Sequence, residues 1–381
     1  MHVVGVIAEY NPFHKGHLYQ INEIRRMYDD CIVVVVMSSS FMQRGEVSII
    51  NRWNKTKIAL DYGADLVLEL PFCYASQASD VFASGALKIL NYVGIDTLVF
   101  GSECNDIDIL YSLANTQINN EKYKDIVKEY LDKGFNYPTS LSRALEDITG
   151  IKIYKPNDLL ALSYIKEIIS NKYNITPISI KRTSDYHSSD INNDIISASS
   201  IRRLINDNYN VDRYVPYKID NYLEKIDIDK YFSLLKYQII NNIDRLDMFQ
   251  TVDEGIEKRI VKYIYEVNDI EYLILKVKSK RYTYNKIRRM FTHILCNFTK
   301  EEARRVCIDY IRVLGFNDVG RKYLNKVKKE VDIPITSKYI TNKSLCFDIE
   351  KRVSMIYTLM LCSDSAKKFM EDEVRNRPII K

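Results

Sequence analysis

Two histidines three residues apart, His14 and His17, stand in the stretch EYNPFHKGH, directly behind the short apolar run VVGVIA. Where a buried strand hands over to a helix, an H-x-G-H element puts both imidazoles on one side of the opening helical turn. Gly16 removes the Cβ that would block a nucleotide lying across the backbone, and the helix N-terminus adds unpaired N–H groups and the positive end of a dipole. Imidazole donors placed there can follow negative charge from the α-phosphate of a triphosphate onto the leaving pyrophosphate. A second element, ISASSIRR at 196–203, offers Ser197, Ser199 or Ser200 as a helix cap, with Arg202 aimed back at the phosphates. Between them, at 43–46, stands QRGE. Its Arg44 can pair with a carboxylate or phosphate and its Gln43 can hydrogen-bond a polar substrate, the plainer alternative being a structural Arg–Glu pair. No Ser-His-Asp or Cys-His arrangement is apparent, so the pattern points to charge stabilisation rather than to a covalent nucleophile.

These residues need a frame, and the first half supplies one. VVGVIA, CIVVVVM, DLVLEL and DTLVF read as strands buried on both faces, with a further strand at 175–180. Helix-length stretches with apolar residues three and four apart lie between them, for example Leu18, Ile21 and Ile24, or Val81, Ala86, Ile89 and Leu90. The alternation predicts a doubly wound α/β domain with a parallel sheet over residues 1–207, whose ligands sit at the carboxyl ends of the strands. QRGE follows the second strand, so it belongs on a loop above that edge. From about residue 208 to 381 the texture changes to long stretches at helical spacing, such as YFSLLKYQIINNI, EEARRVCIDYIRVLGF and SMIYTLMLC, which predict a mostly α-helical second domain.

Charge divides along the same line. Residues 1–210 carry 21 Lys and Arg against 25 Asp and Glu, whereas residues 211–381 carry 34 against 25. The basic excess in the second half favours an acidic partner such as nucleic acid over a plain solvated face. Between residues 272 and 300 there are eight basic residues and no acidic one, and Tyr282 and Tyr284 interleave with Lys278, Lys280, Arg281, Lys286, Arg288 and Arg289. Such a segment can neutralise phosphates and stack on unpaired bases. The longest apolar run has seven residues and no basic leader precedes it, which predicts a cytoplasmic protein without a membrane span. Seven scattered cysteines with no CxxC pair read as reduced, buried thiols, neither a disulfide framework nor a zinc site.

The HKGH and Ser-rich elements resemble those of the HIGH-type nucleotidyltransferase superfamily, whose members attack the α-phosphate of ATP and release pyrophosphate. The resemblance narrows when further stretches are taken in order: EYNPFHKGH, F-x-QRGE, GADLVLELPF, VFGSE, PNDLLALSYIK, ISIKRTSDYH and ISASSIRR are similar to the tRNA-Met cytidine acetate ligase family. The chain departs from that family's pattern around QRGE, with Ser38-Ser39-Ser40-Phe41 in place of S-G-N-F before it and Val47-Ser48-Ile49 in place of P-A-I after it.

The resemblance implies an ATP-dependent ligase. Acetate is activated as acetyl adenylate, and the acetyl group passes to the exocyclic amine of the wobble cytidine of elongator tRNA-Met, leaving N4-acetylcytidine and AMP. It implies ATP contacts at Ile7, Ala8, Glu9, Tyr10, Asn11, Pro12, Phe13, His14, Lys15, Gly16, His17, Leu18, Tyr19 and Gln20, and at Gly101, Asn157, Arg182, Ser199 and Arg202. His14, His17, Gln43 and Arg44 are then the catalytic group. The basic segment, from Lys278 to Arg289, becomes the tRNA-binding element. Mg²⁺ is expected with ATP, with no carboxylate cluster dedicated to it and no protein metal ligand assigned. No obligatory protein partner is evident. The alternative is a small-molecule adenylyltransferase of the nicotinate or pantetheine-phosphate type, which shares HxGH and the Ser-rich element but usually lacks the QRGE loop and the basic helical appendage.

Overall fold

Val, Ile and Leu runs that are buried on both faces form parallel strands, because each must be covered by a helix on either side. A computed structural model describes residues 1–182, 194–338, 344–375 and 377–381. The strands β1 (His2–Ala8), β2 (Cys31–Ser38), β3 (Leu66–Leu70), β4 (Thr97–Ser102) and β5 (Thr176–Lys181) lie in the order β5-β4-β1-β2-β3, all parallel. In register, Val4 pairs with Val33, Val34 with Leu66, and Val99 with Ile178. The crossovers are α1 (Lys15–Met27), α2 (Arg52–Asp61), the short α3 (Phe72–Ala75) with α4 (Ser79–Tyr92), and the group α5 (Ile107–Asn119), α6 (Glu121–Asp132), α7 (Tyr137–Thr149) and α8 (Pro156–Ser170).

Strand alternation splits the core in two. Val33 and Val35 face a cluster containing Ile21 and Ile24 of α1 and Ile58 of α2. Val34 and Val36 face the other side, against Leu87 of α4, Leu110 of α5 and Leu162 of α8.

After α9 (Ala198–Asn206) the chain is chiefly helical, as its spacing predicts, through α10 (Ile228–Asn241), α11 (Ile256–Tyr263), α12 (Ile270–Val277), α13 (Tyr284–Leu295) and α14 (Lys300–Arg305). The structure then departs from the sequence reading. IRVLGF, read as helical, is strand β6 (Ile311–Phe316), antiparallel to β3 with Leu66 opposite Phe316. It alternates Ile311 and Val313 into one core cluster with Leu314 into the other, and the open edge of β3 supplies the hydrogen bonds that a short β-branched run cannot make alone. It is followed by α15 (Asp318–Val327), β7 (Ile335–Thr336), α16 (Leu345–Leu359), α17 (Ser363–Arg375) and β8 (Ile379–Ile380), and both short strands pair with β6. Residues 1–207 and 208–381 therefore share one sheet. All seven cysteines are free thiols, four of them buried; Cys104, Cys307 and Cys362 are exposed, unlike the expectation. Among the described residues no helix is long and apolar enough to cross a membrane.

A cluster of charges is buried where the two segments meet. Arg52 of α2 pairs with Glu69 of β3, with Glu350 of α16 at 2.9 Å and with Glu373 of α17 at 3.4 Å. Arg312 of β6 pairs with Glu373 at 2.8 Å and Glu69 at 3.5 Å, and all five side chains are at most 1% exposed. Among the described residues, three carboxylates meet two guanidiniums here. Burial, with Glu69 beside it, pushes Glu350 up to about 7. Arg312→Met should leave Arg52 to pair with Glu69, Glu350 and Glu373 alone and destabilise the fold by about 3–5 kcal/mol. Glu350→Gln, which copies the protonated acid, should cost far less; urea unfolding of the two variants beside the wild type checks the difference.

Candidate active site

The carboxyl end of β1 runs into Glu9-Tyr10-Asn11-Pro12, where Tyr10 takes a left-handed conformation (φ 46°) and the Asn11–Pro12 peptide is cis. His14 is the N-cap of α1. Its Nδ1 accepts the backbone N–H of Gly16 at 2.9 Å, while the Nδ1 of His17 accepts the backbone N–H of His14 at 3.2 Å. Each Nδ1 is thus a lone pair, so each neutral ring carries its proton on Nε2. The rings lie 3.9 Å apart between centroids, inclined by 33°. Burial, with Arg182 and Arg202 adding to it, pushes His14 down to about 3, and burial with His14 and Arg182 nearby holds His17 well below the usual imidazole range. Both are neutral donors, fixed in tautomer by the helix they cap. Gly16 serves this arrangement differently from the expectation: a Cβ there would lie 2.7 Å from the His14 ring, so glycine makes room for the imidazole as well as for a ligand.

A cavity of ≈ 290 Å³ opens over this turn. Its walls include Ile7, Ala8, Glu9, Tyr10, Asn11, His14, Gly16, His17, Tyr19 and Gln20 from β1 and α1, together with Gly101, Asn157, Arg182, Ser199 and Arg202. Gln43 and Arg44 reach it from the loop after β2. Of the sequence-predicted nucleotide contacts, Pro12, Phe13, Lys15 and Leu18 do not line it. Phe13 is buried against Tyr62, and the helical rotation that turns Gly16 and His17 inward turns Lys15 and Leu18 away.

The other walls are fixed by reciprocal capping. Glu103, just beyond β4, accepts Asn157 Nδ2 at 2.6 Å and the Asp158 N–H at 3.0 Å, capping α8 in place of its N-cap Lys155, which makes no side-chain cap bond. Asp158 in return accepts Ser102 Oγ at 2.6 Å and the N–H groups of Glu103 and Cys104. VFGSE and PND are therefore two halves of one joint that presents Gly101 and Asn157 to the cavity. A side chain at Gly101 would press on Arg182 Cγ at 3.2 Å; the glycine's space is used by that arginine. Arg182 Nε is buried with no hydrogen-bond partner among the described residues, and burial lowers its affinity for the proton. Ser197 caps α9 by accepting the Ser200 N–H at 3.1 Å, as its sequence predicts. The part of ISIKRTSDYH at 183–187 lies outside the described residues.

The loop carrying QRGE folds back on itself, with Phe41 bridged to Val47 and the Met42 N–H donating to Glu46 O at 2.8 Å. The Gln43 N–H donates to Glu9 Oε1 at 2.6 Å. Lys55 is fully buried behind it and donates to the carbonyls of Glu9, Ser38 and Ser39 at 3.1, 2.6 and 2.9 Å, stitching the ends of β1 and β2 together. The serines at which the chain departs from the family pattern are used: Ser39 Oγ donates to Glu69, Ser40 Oγ accepts from Arg52, and Ser48 Oγ donates to Ile50 O.

Sequence reasoning missed part of the site. Glu46 lines the cavity and pairs with Arg202, and an apolar side is made by Phe82, Phe100, Leu159, Leu160 and Tyr164. Asn157, Leu160 and Tyr164 recur at helical spacing, a signal that marked one face of α8. The six basic residues expected on an RNA face divide. Lys278, Lys280 and Arg281 are exposed on the α12–α13 loop, and Lys286 lies over the Tyr282 ring at 3.8 Å. Arg288 and Arg289 turn instead toward the QRGE loop, where Arg288 pairs with Glu46 at 3.2 Å.

A parallel sheet with a capped His pair at its carboxyl edge defines a nucleotidyltransferase, and the family described as HIGH Nucleotidyl Transferase matches residues 1–372. The tRNA(Met) cytidine acetate ligases of Anoxybacillus flavithermus and Caldicellulosiruptor bescii are 35% and 36% identical to the chain, over all of it and over 100% and 98% of their own lengths. Two crystal structures of Thermotoga maritima TmcAL, one without ligand and one with alpha-thio ATP, superpose with TM-scores of 0.90 and 0.87 at 28% identity, covering 100% of this chain and 99% of theirs. The chain belongs to the tRNA(Met) cytidine acetate ligase family.

The tautomers are directly testable. Nitrogen-15 NMR of the imidazoles, assigned with His14→Asn and His17→Asn, should find both rings of the ligand-free protein neutral and protonated on Nε2 from pH 8 down to pH 5. An imidazolium signal from either ring at pH 6 would contradict the geometry.

Proposed function

We propose that the protein carries out its family's reaction: it activates acetate with ATP and transfers the acetyl group to the wobble cytidine of elongator tRNA(Met). An acetate oxygen attacks the α-phosphorus and the bond to the bridging oxygen of pyrophosphate breaks, giving acetyl adenylate. The exocyclic amine of the cytidine then attacks the acetyl carbonyl, loses its proton, and expels AMP, leaving N4-acetylcytidine. The observation that carries this reading is the pair of neutral Nε2–H donors at the N-terminus of α1, facing a cavity that Arg182 and Arg202 also reach.

Neutral donors suit the first step. They bind a polyanion without a proton to lose, and they strengthen as charge moves onto the leaving pyrophosphate. Arg182, desolvated and with Nε unpartnered, pays in advance for the burial of a phosphate oxygen. The apolar side at Phe100 and Tyr164 suits adenine, and the Asn157 carboxamide oxygen, opposite the nitrogen that Glu103 holds, suits a ribose or base donor. Arg44 and Gln43 sit on the loop above and would take the acetate carboxylate and orient it in line.

Mg²⁺ would arrive with the nucleotide and neutralise phosphate charge. Among the described residues no group of three His, Cys, Asp or Glu side chains is arranged to hold a metal ion, and Glu46 is already committed to arginines, so phosphate oxygens and water would supply most of its ligands. A reaction that consumes ATP and acts on tRNA would take place in the cytoplasm. Lys278, Lys280 and Arg281, exposed beside Tyr282, would meet tRNA phosphates.

Labelled acetate should enter RNA only when ATP and tRNA are both present, and acetyl-coenzyme A should not replace ATP with acetate. His17→Ala should lower acetyl adenylate formation by about 10²-fold, the usual worth of one preorganised donor. Nucleoside digestion of the RNA and thin-layer assay of the adenylate read both outcomes; labelling from acetyl-coenzyme A without ATP would overturn the adenylate route. Alanine at Lys278, Lys280 and Arg281 together should weaken tRNA binding and flatten its dependence on log salt by about 0.7–0.9 for each phosphate no longer neutralised. A salt series of tRNA affinities checks this.

A further inference from the structure

Besides Asn11 and Lys55 of the first half, the second half of the chain holds the QRGE loop from behind. Thr292 Oγ1 donates to Gly45 O at 2.9 Å, Tyr357 OH donates to Ser48 O at 2.9 Å, and the Glu224 N–H donates to Ile49 O at 2.8 Å. Gly45 has φ +76°, and a Cβ on it would lie 2.7 Å from Arg289 Cα and 2.8 Å from Arg288 C, so the loop is pressed directly on the α13 backbone. One ionic contact joins this support to the nucleotide cavity. Glu46 accepts from Arg288 of α13 on one carboxylate oxygen and from Arg202 of α9 on the other. Arg202 also donates to Asn11 O at 2.6 Å, and its guanidinium lines the cavity.

We propose that Arg288 is a positioning residue of the nucleotide site: it holds Glu46, Glu46 holds Arg202, and α13 thereby supports a wall of the ATP site from behind as well as neighbouring the RNA-facing loop. The inference rests on the reading of this cavity as an ATP site. Without Arg288, Glu46 would lose one of the three arginines that face it and would stand as a less compensated anion beside the phosphates, while Arg202 would lose a fixed seat. Both changes oppose ATP binding.

The groups facing Glu46 are Arg202 from α9, Arg288 and the Tyr284 phenol from α13, Arg44 from its own loop, and Glu9 from the end of β1. Burial acts to raise Glu46, yet Arg202 and Arg288, with Arg44, hold it below the usual carboxylate range; Glu46 in turn helps burial to raise Glu9. Removing Arg288 raises it, so Glu46 takes its proton, and Arg202 loses its partner, at a higher pH than in the wild type.

The experiment is the affinity for a fluorescent ATP analogue, with neither acetate nor RNA present, across pH 4.5–8, with melting curves on every variant. Arg288→Ala should weaken binding about tenfold at pH 7, within the range of couplings between contacting charges, and move the acid-side loss of binding to higher pH. Arg288→Lys, which keeps the charge, should stay within about threefold of wild type. In a Glu46→Gln background Arg288→Ala should cost nothing further. Thr292→Val, which loosens the same helix from Gly45 without touching Glu46, should leave the acid limb in place. Wild-type affinity and an unmoved acid limb in Arg288→Ala would overturn the inference. So would an equal loss in the Glu46→Gln background, or an equal shift of the acid limb in Thr292→Val. The acetate reading stands or falls separately, on whether the wild type exchanges pyrophosphate into ATP when acetate is added.

Discussion

Five charged side chains with no access to water join the two segments of this protein. Arg52 and Arg312 each reach a carboxylate on β3 and one on α17, and Arg52 adds Glu350 of α16. Desolvating them costs several kcal/mol per ion, and the cost is offset only when every partner is in place. The cluster therefore tolerates one arrangement of β3, β6, α16 and α17. That arrangement brings Tyr357 and, through the helices packed on the same core, α13 against the loop above the nucleotide cavity. A loop that leaves a strand with no secondary structure of its own is thus fixed as firmly as the sheet edge it leaves.

The site shows the same economy at smaller scale. Orphan N–H groups at the start of α1 are satisfied by imidazoles rather than by the usual hydroxyl or carboxylate, and the capping fixes which ring nitrogen carries the proton. Glu103 and Asp158 cap each other's segments across the cavity mouth. Lys55 occupies the carbonyls left unpaired where β1 and β2 end; burial pushes it down to about 7, with the Glu9 carboxylate acting the other way. In each case the side chain that organises the backbone also stands next to a ligand-facing group, so local stability and site geometry are set by the same bonds.

The parallel strands, the crossover helices and the HKGH turn were legible in the sequence because their signals are local. Continuous apolar runs, period-3.6 spacing and a serine before a helix act within a few residues, and the structure bears them out in β1 to β5, in the crossover helices and at the Ser197 cap of α9. The cavity walls at Asn157, Arg182 and Arg202 were legible through motif resemblance, and their contacts become intelligible only when Glu103 and Glu46 are seen beside them.

What the chain alone could not reveal depends on partners far away in sequence. IRVLGF becomes a strand because β3 offers a free edge some 240 residues earlier, a hydrogen-bonding partner no local propensity encodes. Arg288 and Arg289 sit in a basic run whose composition fits a phosphate-facing surface, yet a helix turns successive residues about 100° apart, and only packing decides which of them face water. Arg288 meets Glu46 across a separation of 242 residues. The sequence by itself determined the chemistry available: two imidazoles at a strand end, a capped serine-rich turn, arginines and a basic second half. The tertiary structure decided which of those charges would face the cavity and which would neutralise one another, because the energy of an ion pair is set by distance and solvent exposure, and neither is a property of the chain before it folds.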